Sequence, residues 1–433
     1  MRFWTGLTGM LMSVALLAGC GGGGSGSSKT AQLRLLNASV GYPSLDLSIN
    51  GTVKNSAVAY GAAGSYVDVT TDAITTAISV AGLSSSLSSS SRSLTKDTHY
   101  TLVGYGWQGA LKTALIQEDQ AAADSGKAKV AVLNLAVDAG SVDVYLTGST
   151  DALADASAVT SGVAGGGGSA YTSIGAGTYR LRVTGASDKT DLRLDVSGLT
   201  LDSTKVATLV LTSGVGGVLV NGVTMVQQGA TATFANNLAR ARVVAAVSGN
   251  GAVSASLGGN VLSTSLVSPN PYNSYVQFPV TSASLPVTLS VGGTAFVVPN
   301  QTVTAGGDYT LLVWGDKAAP QVTLVTDDNR LPLTTNTGKI RLFNAMYGVA
   351  APLTLNSDIS GILANNVAQG AASAFFPNIT ASTTVRLQVI SPLSVAPLED
   401  VTYSIASKGV YSFFMFGDAG DKTTWSYAIR KER

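Results

Sequence analysis

The sequence predicts an all-β protein: four tandem Ig-like β-sandwich modules after an export segment and a flexible tether. Three observations carry this expectation. Charged residues are 12% of the 433, about half of the roughly 25% usual in soluble domains. Hydrophobic residues at 45% still supply cores, and the rest of the chain is rich in Gly, Ser and Thr, which with so much Val reads as strand and turn rather than helix. Apolar runs of strand length alternate with turn signals, and one unit of about 100 residues recurs four times in register.

The chain opens with Met1 and Arg2, then an uncharged apolar run from Phe3 to Leu17. That run is shorter than the roughly 20 residues a membrane-spanning helix needs, so it reads as an export signal. Leu17-Ala18-Gly19-Cys20 follows, with the only cysteine of the chain. These four residues resemble the lipobox of bacterial lipoproteins. The resemblance implies cleavage before Cys20, a lipid on its sulfur and an acyl group such as palmitate on its amine. Acyl chains contribute about 0.8 kcal/mol per buried CH₂, so several of them hold a soluble body on a membrane. Gly21 to Ser28 is Gly and Ser alone, a flexible tether. Gly at position 21, by resemblance to the sorting pattern of such lipoproteins, points to the outer membrane. The expected segments are a signal peptide over 1–19 and the lipidated Cys20 with its tether over 20–30.

The modules are expected at 31–120, 127–230, 238–328 and 337–433. Each opens with a polar residue and an apolar strand: Gln32 to Ala38, Lys129 to Leu135, Arg240 to Ala246 and Lys339 to Ala345. A second strand follows, Ser44 to Ile49 and Ser141 to Leu146, with counterparts at Ala252 to Leu257 and Pro352 to Leu355. Middle strands read best at Thr178 to Val183 and Val385 to Val389. Late strands run Tyr100 to Gly106, Ala207 to Ser213, Tyr309 to Gly315 and Tyr411 to Gly417, and closing strands show at Val322 to Val325 and Trp425 to Ile429. Alternation predicts one buried and one wet face per strand, which puts Arg180 and Arg182 on the solvent side. The longer second unit contains the run Gly165 to Gly168, read as a loop insertion. Linkers at Asp119 to Lys127 and Asp327 to Gly338 are polar and short. They predict a bent, semi-extended chain of touching but separable modules.

The apolar strand ending in Asn-Ala, the Val-Asp-Val strand, the Tyr-Thr-Leu-Val strand and the closing strand near an acidic turn resemble the bacterial family called domain of unknown function 4397. The second unit departs from the pattern at Ala207 and the third at Ala245. The resemblance implies exported, often lipid-anchored sandwich modules, without catalytic residues or cofactors to carry over.

Candidate sites are few. Net charge is +1, and removing 1–19 leaves 25 basic and 25 acidic residues, which argues against nucleic acid as a partner. Asn37, Asn134 and Asn344 recur at one strand end; a ligand-binding amide in each module is one reading, a turn cap the favoured one. Asp46 and Asp143 lie inside apolar strands, where a carboxylate bonded to a neighbouring loop is the expected account. Asp418, Asp421 and the run Thr326 to Arg330 invite a calcium reading but lack a full loop spacing, and turn formation is the expectation. His99 has no partner in sequence for a triad or a metal. Tyr105, Trp107, Trp314 and Tyr347 are placed near strand ends, either as sugar-stacking rings or as core. The sequence therefore assigns no catalytic residue, metal, cofactor or ligand-binding residue, and one lipidation site, Cys20. The expected function is a membrane-anchored envelope lipoprotein that acts as a non-catalytic binding, adhesive or spacer module, held to the membrane by its lipid and meeting an unidentified protein or glycan. The alternatives are a carbohydrate-binding or envelope-associated accessory protein and a carboxylate-driven hydrolase.

Overall fold

The computed structural model describes residues 30–433. The export segment, Cys20 and the tether through residue 29 lie outside the described residues. Within them the protein is built of strands, with only two short 3₁₀ turns, Val137–Ala139 and Lys422–Thr424. The strands form four two-sheet sandwiches on one plan. In the first, the leading sheet runs in the order Val67–Thr70, Thr30–Ala38, His99–Trp107, Ala110–Gln117. The facing sheet runs Thr52–Ala59, Ser44–Ile49, Ile74–Val80, Ser86–Arg92. The leading strand Thr30–Ala38 pairs in parallel with the late strand His99–Trp107. Parallel neighbours need a long crossover, and the whole facing sheet supplies it. The same parallel pair recurs between Lys127–Asn134 and Val206–Ser213, Leu238–Val247 and Asp308–Asp316, and Thr337–Tyr347 and Val410–Asp418.

Each sandwich closes its own core between the two sheets. Leu33 and Leu35 of the first leading strand meet Leu45, Leu47 and Ile78 of the facing sheet. The recurring asparagines sit at the mouth of this core, fully buried. Asn37 Nδ2 donates to the carbonyls of Tyr42 and Val58, Asn134 Nδ2 to Gly140 and Val163, and Asn344 Nδ2 to Ala351 and Val367. Asn37 and Asn344 also cap a turn, accepting from the amides of Ser39 and Met346. One amide thus ties the leading strand to two segments of the facing sheet. The turn-cap expectation holds for Asn37 and Asn344 but not for Asn134, whose Oδ1 has no partner, and the latch is additional in all three. Asp46 accepts from the amides of Ala57 and Gly82, and Asp143 from those of Gly162 and Ser187, so each carboxylate pins a bulged neighbouring strand, as expected. In the fourth module the Thr354 hydroxyl takes over, accepting from Asn366 N.

Three expectations are corrected. The Gly165–Gly168 run is not an insertion: Asn134 N donates to Gly167 O as Asn37 N does to Ala62 O, so the run fills a position common to the modules. The extra residues lie at 148–159, between Val142–Thr147 and Thr160–Val163, where the first module has only 50–51. That loop folds over the module, with Lys189 Nζ donating to the Ala154 and Ala156 carbonyls. Arg182 is consequently buried at 3% exposure rather than on the solvent side, with one donor on Thr147 Oγ1.

The larger correction concerns the outer faces of the leading sheets. They are not wet. Leu36, Ala38 and Val103 of the first module pack against Leu135, Val210, Val223 and Met225 of the second. Val244, Ala246 and Leu312 of the third pack against Phe343, Ala345, Phe414 and Phe416 of the fourth. Two equivalent apolar interfaces therefore weld the modules in pairs, where the expectation was of modules that touch but stay separable. The strand composition has the matching signature: a sheet buried on both faces reads as a continuous apolar run, not as alternation. A single proteolytic cut in the exposed 119–126 segment is expected to leave the first module bound to the second. Native size-exclusion of the nicked protein should show one peak at the intact position, and release of a free module would contradict the welded pair.

Candidate functional site

The charged groups of the leading sheets lie at the centre of these interfaces. Arg34, Arg242 and Arg341 occupy one position in three leading strands, each opposite a hydroxyl of its late strand: Thr101, Thr310 and Ser412. Each Arg Nε donates to that hydroxyl, at 2.8, 3.0 and 3.1 Å. A carboxylate recurs at the end of the closing strand as Glu118, Asp327 and Glu432, all nearly inaccessible. In the first module the pair is internal: Arg34 reaches Glu118 at 3.2 Å. In the third and fourth it is exchanged. Arg242 of the third binds Glu432 of the fourth through two bonds of 2.7 and 2.6 Å, and Arg341 of the fourth binds Asp327 of the third.

Aromatic rings complete each pair. Tyr275 lies under Arg240 and Arg242 at 4.7 and 4.8 Å and donates its hydroxyl to Asp327. Tyr66 lies under Arg34 and donates to Glu118, and Phe375 lies under Arg341. Burial alone would raise the Asp327 carboxyl; the Arg341 and Arg242 guanidiniums outweigh it and hold it below the usual carboxylate range. Burial together with the Glu118 carboxylate pushes the Tyr66 hydroxyl up. The second module has Ala131 and Gln227 at the two charged positions, so its interface with the first has one pair instead of two. Glu118 compensates by accepting from Gln228 N, and Arg34 by donating to Gly229 O, both across the interface.

The two welded pairs meet at Asp138, in the short turn after the second module's leading strand. Asp138 Oδ2 accepts from Trp107 Nε1 of the first module at 2.6 Å, and Oδ1 from Leu331 N of the last linker at 2.8 Å. Arg433 donates to its carbonyl. Arg330 stacks on Trp107 at 4.7 Å while pairing with Asp328, which also binds Lys339. Gly216 and Gly217 let the second module touch the third: a Cβ on Gly216 would meet Asp308 N at 2.8 Å, and Gly217 sits at φ +97° against Arg330. The run Thr326 to Arg330 is thus an ionic tie between modules, buried at Asp327 and Asn329 and half-buried at Asp328 and Arg330, not the simple turn expected. Asp418 and Asp421 do cap turns, accepting from Gly420 N and Thr423 N.

A cleft of about 330 Å³ opens at this junction, with all but the third module contributing walls. It is lined by Tyr105, Trp107 and Lys112 of the first module, Leu135, Val137 and Asp138 of the second, Leu331 to Leu333 of the last linker and Lys408 of the fourth. Two of the four aromatic candidates therefore reach a common site. Trp314 packs beside the interface of the third and fourth modules with its Nε1 on Thr323, and Tyr347 is partly buried at the fourth module's edge. His99 packs edge-on against Tyr66, 4.9 Å between ring centres. Among the described residues no three His, Cys, Asp or Glu side chains gather in a metal-binding group. Sequence reasoning missed Asp138, the contact of Arg330 with Trp107 and the arginine–carboxylate exchange. Only the arginines left a signal, since they fall in register in three of four repeats.

Arg341→Met should destabilise the protein by about 3–5 kcal/mol, because it strands a buried Asp327. The double variant Arg341→Met/Asp327→Leu should recover most of that loss, and denaturant unfolding of the four proteins of the cycle measures it. Asp327 has a depressed folded pKa. Its contribution is present above the unfolded value, ordinarily 3.8, and is lost as pH falls through the lower folded value. The fall in stability below pH ~4 should therefore be shallower in Asp327→Asn.

No curated protein matches this sequence. Among solved structures, "The Bacillus anthracis TIE protein" aligns with 90% of this chain and 67% of its own, at 10% identity and a TM-score of 0.15. Residues 31–145, the first module and the opening strands of the second, match the family model described as Domain of unknown function (DUF4397), the family that the repeated strands resemble.

Proposed function

We propose that this chain is a cell-envelope lipoprotein, anchored through Cys20, whose four modules form one non-catalytic binding body. The observation that carries the anchor is Leu17-Ala18-Gly19-Cys20 at the end of an uncharged apolar run, followed by eight residues of Gly and Ser. Such a tether lets the body stand clear of the bilayer. Gly21 favours the outer membrane. The observation that carries the binding role is the cleft at the module junction, a concave apolar site with a few polar groups, which is the usual form of a ligand site.

The absence of catalysis is part of the proposal. Glu118, Asp327 and Glu432 are each saturated by a guanidinium, and Asp138 has both oxygens occupied. These carboxylates are structural ties and are poorly placed to act as general acid or base. Neutral overall charge leaves no field to steer a polyanion.

Cys20→Ser should abolish incorporation of labelled palmitate and move the protein from the membrane fraction to the soluble or unprocessed one. Wild type that takes up no label, with a variant that still fractionates with membranes, would sink the lipoprotein reading.

A further inference from the structure

Resting on that reading of the junction cleft as a binding site, we propose that its ligand is the carboxylate of an aliphatic chain, a medium-chain fatty acid, with the chain against Trp107, Leu135 and Leu333 and the carboxylate held by Lys112 and the Tyr105 hydroxyl. The walls are apolar, and Leu333 stands exposed at the rim. The polar groups left over are donors. Among the described residues the Tyr105 hydroxyl has no hydrogen-bond partner, although its ring is half-buried and the hydroxyl's pKa is raised by burial. Lys112 is exposed and in no ion pair among the described residues. Lys408 donates to the carbonyls of Pro332 and Leu333 at 2.6 and 3.0 Å, which leaves its third donor open.

The only carboxylate in the lining, Asp138, is already taken by Trp107 Nε1 and Leu331 N. Two ammonium groups and a free hydroxyl against one satisfied carboxylate select an anion. The apolar walls select a chain behind it. A sugar would leave its hydroxyls facing leucine and valine, where unpaired polar groups are costly. The volume, about 330 Å³, is at the small end of the range for small-molecule sites, which fits one short chain rather than a phospholipid with two.

The test uses the full chain carrying Cys20→Ser, purified without detergent, and reads tryptophan fluorescence during titration with decanoate. Saturable change is expected, and Trp107→Phe should remove most of the signal and, by losing the Asp138 contact, weaken affinity by calorimetry. Lys112→Met and the neutral probe decanol should each weaken binding about tenfold, the value of one charge-assisted bond. Lys112 is exposed, so that variant keeps the fold; Leu333→Asp is the second variant and should also weaken decanoate. No saturable response to decanoate would overturn the proposal. So would decanol binding as tightly as decanoate, or maltose binding in its place. Because the anchor is absent throughout, these outcomes stand apart from the outcome of the Cys20 fractionation.

Discussion

The architecture depends on a leading sheet buried on both faces with an arginine on the outer one. A guanidinium cannot stay in an apolar interface unless a carboxylate comes with it, since an unpaired buried charge costs several kcal/mol. The first module supplies the carboxylate from its own closing strand, as Glu118. The third and fourth supply it to one another, as Asp327 to Arg341 and Glu432 to Arg242. Buried ion pairs are weak glue but strict about geometry, because only one rotation and one register satisfies both. The surrounding apolar contacts, Val244, Ala246 and Leu312 against Phe343, Ala345, Phe414 and Phe416, supply the attraction. The exchanged pairs then dictate how the two sheets lie. In the first and second modules, where Ala131 and Gln227 replace the second pair, the turn at Gln228 and Gly229 fixes the register through backbone groups instead.

This arrangement explains the composition. A chain of separate sandwiches would show many charges on its outer faces. Here the central strands of one sheet in each module are covered on both faces, and a charged fraction of 12% agrees with that burial. The buried arginines of those sheets recur at one register position, as Arg34, Arg242 and Arg341. The leading strand Leu238–Val247 is buried at every residue, Arg240 and Arg242 included. That is possible only because Asp308, Glu432 and the Tyr275 ring are arranged around them.

Strands, module count and the roles of Asp46 and Asp143 were legible in the sequence because they rest on local signals: apolar period, turn residues and repetition. The asparagine latch was half legible. Recurrence marked Asn37, Asn134 and Asn344, but that each amide bridges two segments far apart in the chain needed the fold. Alternation misled at Arg182, because the loop 148–159 covers a face that the strand pattern presents as wet. It misled again at the leading strands, whose continuous apolar runs were visible but were assigned to one core instead of two. Asp138 left no signal. Its importance comes from Trp107, Leu331 and Arg433 converging on it from sites 31, 193 and 295 residues away, and no local pattern encodes a contact of that range.

The junction cleft is a product of this packing and belongs to no single module. Tyr105 and Trp107 end the first module's late strand, Leu135 and Asp138 follow the second module's leading strand, and Leu331 to Leu333 leave the third module's closing strand. Their approach requires both welded pairs and the close passage of Gly216 and Gly217 past Asp308 and Arg330. A ligand that fits the cleft binds only the assembled body, so by linkage it must stabilise the docking of one pair on the other, by RT ln(1 + [L]/Kd). The coupling runs through Asp138, which holds the cleft's Trp107 wall and its Leu331 wall with two oxygens of one carboxylate. Loss of either contact loosens the wall and the dock together. A ligand in the cleft would therefore share one equilibrium with the docking of the two pairs, and a change that separates the pairs removes the cleft without touching any residue of a single sandwich core.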